Sequence, residues 1–331
     1  MPERTFGRPV LGKRDLALAL LICIVWAGNF LTSAHALREV PPFLFSAVRM
    51  GILAVLLCAF VRWPPRAQWS RLIAVALLNG ALHFGTSLWA LRMAGDVSSP
   101  AIVMQSFIPM SVLLAWWLLG ERFAWRTGSA IALSFIGVLV LGFDPLVLDH
   151  PASLAMMLFS AFLIALGTVF MRGLSGIDAL NLQAWTALIG LLPLLAISAL
   201  IEPGGLTALR DAHWSSWGAA VYSAVFASII GHSVFYRLVQ RHPVATIMPY
   251  LLLTPVFAVA LGILFWGDRP GAQLWIGGAM VLGGVLIIAL RAREIVPLVP
   301  RLTLGAARHR VGASGELVVT WTHYRDDDPN C

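Results

Sequence analysis

One apolar segment occurs twice in this chain, as VSSPAIVMQSFIPMSVLLAWWLLGER (Val97 to Arg122) and as VATIMPYLLLTPVFAVALGILFWGDR (Val244 to Arg269). Each copy has a proline near its middle, Pro109 or Pro255, and closes on Gly-acid-Arg, with Glu121 and Asp268 as the acids. The closures lie 147 residues apart. At that same offset Val97 falls on Val244, and Gly137-Val138 falls on Gly284-Val285. Any fold the chain adopts must therefore house two similar units in series.

What surrounds the copies is almost entirely apolar. Hydrophobic residues make up 59% of the chain and charged residues 12%, with a mean hydropathy of +0.83; soluble domains carry about a quarter charged residues. This is the composition of an all-α integral membrane protein. Runs of about 20 apolar residues, enough to cross the bilayer core as helix, fall near 16–37, 42–61, 70–93, 98–119, 126–143, 152–171, 180–201, 215–239, 244–266 and 273–290. Strand-like alternation of the barrel kind is absent. Ten transmembrane helices are expected.

The net charge of +7 reflects topology and not a nucleic-acid partner. With the N-terminus inside, inner segments collect Arg4, Arg8, Lys13, Arg14, Arg62, Arg66, Arg71, Arg122, Arg126, Arg172, Arg237, Arg241 and the arginines from Arg291 onward, while outer loops keep Arg38, Arg92, Arg210 and Arg269. Both termini are thus expected in the cytoplasm. Four parts follow: a cytoplasmic lead (1–14), a first repeat (15–145), a second (150–293), and a polar cytoplasmic tail (294–331) expected to be disordered. Cys23, Cys58 and Cys331 make no disulfide framework. The Ala34-His35-Ala36 sequence resembles a signal-peptidase site, but its removal would spoil the repeat, so the first span is expected to be retained.

Five helices is an odd number, so the second repeat enters the membrane from the opposite side. Inverted repeats with matching interrupted helices belong to secondary transporters, whose site lies near the midplane between the halves. The proline-broken fourth and ninth helices point to that site, with Pro109 and Pro255 as kink or gating positions. Pro109 frees the carbonyl of Gln105, next to the Gln105 side chain. Further candidates are Asn29 in the first span, His83 on the stripe Asn79, His83, Thr86, Ala90, and His232 on the stripe Tyr222, Phe226, Ile229, His232, Tyr236. Tyr250 lies beside Pro255, and Trp26 and Tyr222 supply aromatic walls. Each polar residue also has a purely structural reading as an interhelical hydrogen bond. Arg49, deep in the second span, either bonds backbone carbonyls near a helix end or binds a substrate carboxylate. Glu121 and Asp268 are expected to brace helix ends.

The residues Trp26, Gly28, Asn29, Phe30, Arg49, Pro109, Gly120, Glu121 and Arg122 resemble the pattern of the EamA family of drug/metabolite transporters over roughly residues 14 to 293. The chain departs from it in having Asp268 for the usual glutamate and Pro109 one residue nearer its acid than Pro255 is. The resemblance implies export of a small polar metabolite, an amino acid or derivative, across a bacterial inner membrane. It implies no cofactor and no metal, and it is compatible with a homodimer in the lipid bilayer. The run SIIGHSVFYRLVQRHPVATIMPYLLLTPVFA looks most like the subgroup that exports cysteine and O-acetylserine. The alternatives are a polytopic membrane enzyme acting on a lipid-linked substrate, which would need a reactive cluster that the sequence lacks, and a passive channel. The Asp and Glu residues all fall in loops, tails or near span ends, so facilitated efflux is the expectation, with proton antiport through His83 and His232 as the alternative.

Overall fold

The computed structural model describes residues 12–120, 123–174, 176–241 and 250–291 and the strands 308–311 and 317–320; the side chains at 236, 237, 239–241 and 291 and in the strands are outside the description. Glu121 and most of the tail therefore lie outside the described residues.

A backbone in hydrocarbon has to satisfy its own hydrogen bonds, and the apolar runs do so as helices. The principal helices are α1 (Lys13–Ala36), α2 (Pro42–Leu56), α3 (Arg66–Ala94), α4 (Ser98–Leu119), α5 (Trp125–Leu141), α6 (Pro151–Met171), α7 (Ala179–Ile201), α8 (214–241), α9 (Leu253–Trp266) and α10 (Ala272–Arg291). Among the described residues seven are long and apolar enough to cross a membrane: α1, α3, α4, α6, α7, α8 and α10. The other three, α2, α5 and α9, are apolar but shorter. The protein is a multi-pass, helical membrane protein. In the tail, Arg308–Val311 pairs antiparallel with Leu317–Thr320.

Helix ends are held by specific groups. Proline opens α2 and α6 within the first turn, where no N–H is required of it. Glu202 accepts from the backbone of Phe43 (2.8 Å) and Leu44 (3.0 Å) at the start of α2, and Asp178 accepts from Asn181 N (2.9 Å) at the start of α7. Donors left over at a helix N-terminus are thereby satisfied.

The helices pack chiefly as α5 on α10, α2 on α7, α3 on α6, α1 on α8 and α9, and α4 on α6. Small residues set the closest of these. An added Cβ at Gly137 would lie 2.7 Å from Gly277 O and 2.8 Å from Val281 N, and one at Gly284 would lie 2.5 Å from Ala130 O and 3.1 Å from Ser134 N. Backbone meets backbone there, as small residues in membrane helices permit. Large side chains such as Val55, Leu139, Leu192 and Leu264 are exposed on the outside of the bundle, and Trp63, Trp125, Trp214 and Trp275 are exposed near helix ends, where interfacial tryptophans sit.

Candidate substrate pathway

Two helices carry the candidate histidines, and both are wound irregularly just before them. In α3 the stretch Ala76–Leu82 is π-helical and leads into His83; in α8 the stretch Ser223–Gly231 is π-helical and leads into His232. Windings of this kind are rare and occur often at functional sites. On the expected stripe of α8, Phe226 stacks on Tyr222 with ring centroids 5.2 Å apart, and it is 44% exposed.

His83 is buried against α6. Its Nδ1 lies 2.9 Å from Ser160 Oγ and 3.2 Å from Ser160 O, while Ser160 Oγ donates to His83 O at 2.9 Å. The serine proton is used on that carbonyl, so Nδ1 carries the hydrogen and Nε2 is the acceptor. His232 follows the same logic. Its Nδ1 lies 3.0 Å from Ser228 O and 3.2 Å from Ala227 O, two groups that only accept. Asn79, one turn before His83, presses its amide against Gly167 of α6 and leaves Oδ1 buried without a partner.

Around α1 the structure gathers five of the expected residues, Trp26, Asn29, Tyr222, His232 and Tyr250. Trp26 donates from Nε1 to Ala227 O (3.0 Å), and its ring lies 5.5 Å from that of His232. Tyr222 donates to Val25 O (3.1 Å) and fills the space over Gly28, where any Cβ would collide with its hydroxyl. The Tyr250 carbonyl accepts the Cys23 thiol at 3.3 Å, and its side chain packs in a cluster with Trp26, Ala19 and Ile22. Asn29, one turn along from Trp26, has a buried Oδ1 with no hydrogen-bond partner. Gln105 stands apart from this group. It sits half-buried in a tight turn, Met104–Ser106, that interrupts α4 just ahead of the buried Pro109. Just before α9 a turn at Leu252 likewise precedes the buried Pro255.

Arg49 lies at the middle of α2 and is 3% exposed. Its Nη2 donates to Ser228 Oγ at 2.6 Å, and its guanidinium carbon stands 3.7 Å over the Phe84 ring. Sequence alone could not have singled out Ser228, which is 179 residues away.

At one end of the bundle three acids gather on helix starts. Asp268, at the end of α9, accepts from Val97 N (3.1 Å), Ser98 N (3.0 Å) and Ser98 Oγ at the start of α4. Asp96 accepts from Ser99 N (2.6 Å) and Ser99 Oγ (2.8 Å), and Asp144 accepts from Leu146 N and Leu274 N. The Asp-x-x-Ser spacing at 96–99 carries a capping signal that the sequence reading passed over. A cleft of about 490 Å³ opens near this end between α1, α8 and α9, lined by Thr32, His35, Arg38, Trp214, Tyr222 and Trp266.

Burial pushes the Asp96 carboxyl up to about 7, and the neighbouring Asp268 and Asp144 add to the shift while the bonds from Ser99 oppose it. The fold thus holds the Asp96 proton more tightly than the unfolded chain, where the group titrates near 3.8. This stability is complete below the unfolded value and is lost as pH rises through about 7. Thermal unfolding in detergent between pH 5 and pH 8 is expected to show the protein weakening as pH rises, and Asp96→Asn is expected to flatten that slope. An unchanged slope in the variant would assign it to another group.

A helical bundle with buried polar groups between irregular helices is an architecture that membrane transporters use. The chain belongs to the EamA-like transporter family, which matches residues 14–143 and again residues 152–290. It is a transporter and not an enzyme. It is 27% identical to a probable amino-acid metabolite efflux pump of Escherichia coli (strain K12), over 86% of this chain and 99% of that protein. It is 26% identical to a probable terminal-alkyne amino-acid exporter of Streptantibioticus cattleyicolor, over 85% and 95%. A solved crystal structure superposes with a TM-score of 0.57 at 18% identity, covering 86% of this chain and 99% of that one, which shows a shared fold.

Proposed function

We propose that this protein exports a small amino-acid-like metabolite across a bacterial inner membrane by alternating access. In this reading ten helices cross the bilayer as two inverted halves, α1–α5 and α6–α10, with both termini in the cytoplasm. The site lies at mid-depth between them, lined by Asn29, His83, Gln105, His232 and Tyr250, with Trp26 and Tyr222 as walls.

The observation that carries this reading is the pattern of helix pairs. Exchanging α1–α5 with α6–α10 turns the α3–α6 pair into α8–α1 and the α1–α9 pair into α6–α4, and it returns α2–α7 and α5–α10 to themselves. Shifted by 147 residues, the contact of Gly137 with Gly277 and Val281 becomes that of Gly284 with Ala130 and Ser134, and Ser134 Oγ lies 3.4 Å from Val281 O, its own counterpart. Ala76 and Ser223, where the π stretches of α3 and α8 begin, stand at the same offset. The double family match and the names of the relatives point the same way. Efflux down the solute gradient is favoured over proton antiport, since the Asp and Glu residues of the sequence fall in loops, tails or near span ends, away from the mid-depth where proton-relay carboxylates lie.

Purified protein in liposomes, loaded with labelled L-amino acids including cysteine and with O-acetyl-L-serine, is expected to show saturable efflux and counterflow. Linear flux without counterflow would instead identify a channel. Alanine at Asn29, Gln105 or Tyr250 is expected to weaken transport several-fold with folded protein retained; normal kinetics in all three would reject the placement. An imposed pH gradient alone is expected to drive no accumulation. Uphill accumulation that disappears in a His83→Ala, His232→Ala double variant would establish antiport.

A further inference from the structure

We infer that Arg49 is the recognition point for a solute carboxylate, so that the exporter takes metabolites with a free carboxylate and rejects their neutral amides. The inference rests on the exporter reading above and deepens it.

A guanidinium in the middle of a membrane helix demands compensation, and the protein supplies little. Ion pairs such as Arg62–Asp178 and Arg210–Asp211 are exposed, and among the described residues no carboxylate pairs with Arg49. Buried Asp96, Asp144 and Asp268 are all engaged at helix starts. A purely structural arginine would be tied by backbone carbonyls near a helix end, but the described hydrogen bond of Arg49 goes to a side chain, Ser228 Oγ, from the centre of α2. Its Nε is buried with no partner at all. A buried cation in this condition is an incomplete pair.

The surroundings hold the group ready for an anion. Ser228 Oγ donates to Ser223 O at 3.0 Å, so its lone pair is turned to the guanidinium. Phe84 covers one guanidinium face, and the N–H groups lie in the plane, away from that contact. A carboxylate matches such an edge with two parallel, charge-assisted bonds, whereas a carboxamide brings no charge and presents N–H groups where acceptors are needed. Ser228 also belongs to the π stretch before His232, and Phe84 follows His83, so Arg49 joins the two histidine-bearing helices. The neutral histidines offer acceptor Nε2 atoms, which suit the ammonium of a zwitterion.

The test is liposome counterflow with each labelled L-amino acid and O-acetyl-L-serine beside its own carboxamide. Wild type is expected to prefer the acid by about tenfold or more, the range of one charge-assisted hydrogen bond. Arg49→Gln is expected to abolish that preference and Ser228→Ala to reduce it, both checked for folded protein by gel filtration. Equal transport of acid and amide by wild type overturns the inference while leaving the exporter standing, and so does an undiminished preference in either folded variant. If Arg49→Gln does not fold, the wild-type ratio and Ser228→Ala decide. Absence of flux for every acid and every amide overturns the exporter reading and this inference with it.

Discussion

Replacing Gly277 by leucine is expected to eliminate folded protein. The first carbon of the new side chain would lie 2.5 Å from Gly137 O and 2.6 Å from Leu141 N, both backbone atoms that cannot rotate aside. Separating α5 from α10 is the alternative, and it gives up a helix pair in which backbone meets backbone. Overpacking alone costs roughly 1–3 kcal/mol, and opening a membrane interface built on small residues adds to it. Gly283→Leu is the control, since nothing lies within 4 Å of a Cβ there. Size-exclusion profiles and thermal unfolding in detergent would report both variants, and equal behaviour would mean that α5 and α10 do not meet as described.

The proposed inverted arrangement has an all-or-none consequence. Reporter domains fused at Glu121 and at Asp268 are expected to emerge on opposite sides of the membrane, although both positions close the same sequence segment. Fusions at Asp268 are better placed in the following loop, because its side chain is occupied at the start of α4. Signals from the same side for both fusions would exclude the inversion and with it the alternating-access reading.

Much of this bundle was legible from the apolar runs, because length and hydropathy alone decide where a chain in lipid must be helical. The glycines of α5 and α10 were legible as a packing face, since at close approach no other residue leaves room. Helix winding was not. Nothing in ALLNGAL or SAVFASIIG distinguishes i→i+5 from i→i+4 bonding, so the stripes were drawn at α-helical spacing through stretches that are π-helical. Nor could spacing reveal that Asn29 and Asn79 would have unpartnered oxygens, or that His83 would answer to Ser160 and Arg49 to Ser228. Those pairings depend on which helices become neighbours, a property of the assembled halves and not of any one stretch.

The π stretches in α3 and α8 bear on how such a bundle changes access while its helix ends stay tied. A π stretch packs more residues into each turn than the 3.6 of an α-helix, so it amounts to slack stored within a rod of fixed length. Passing one residue of that slack along the helix rotates the side chains it crosses by about 100°, the angle between successive residues. The slack in α3 lies directly before His83, and that in α8 directly before His232 and across Ser228. In such a helix the polar interior can be turned from one partner to another by a dislocation travelling a few residues.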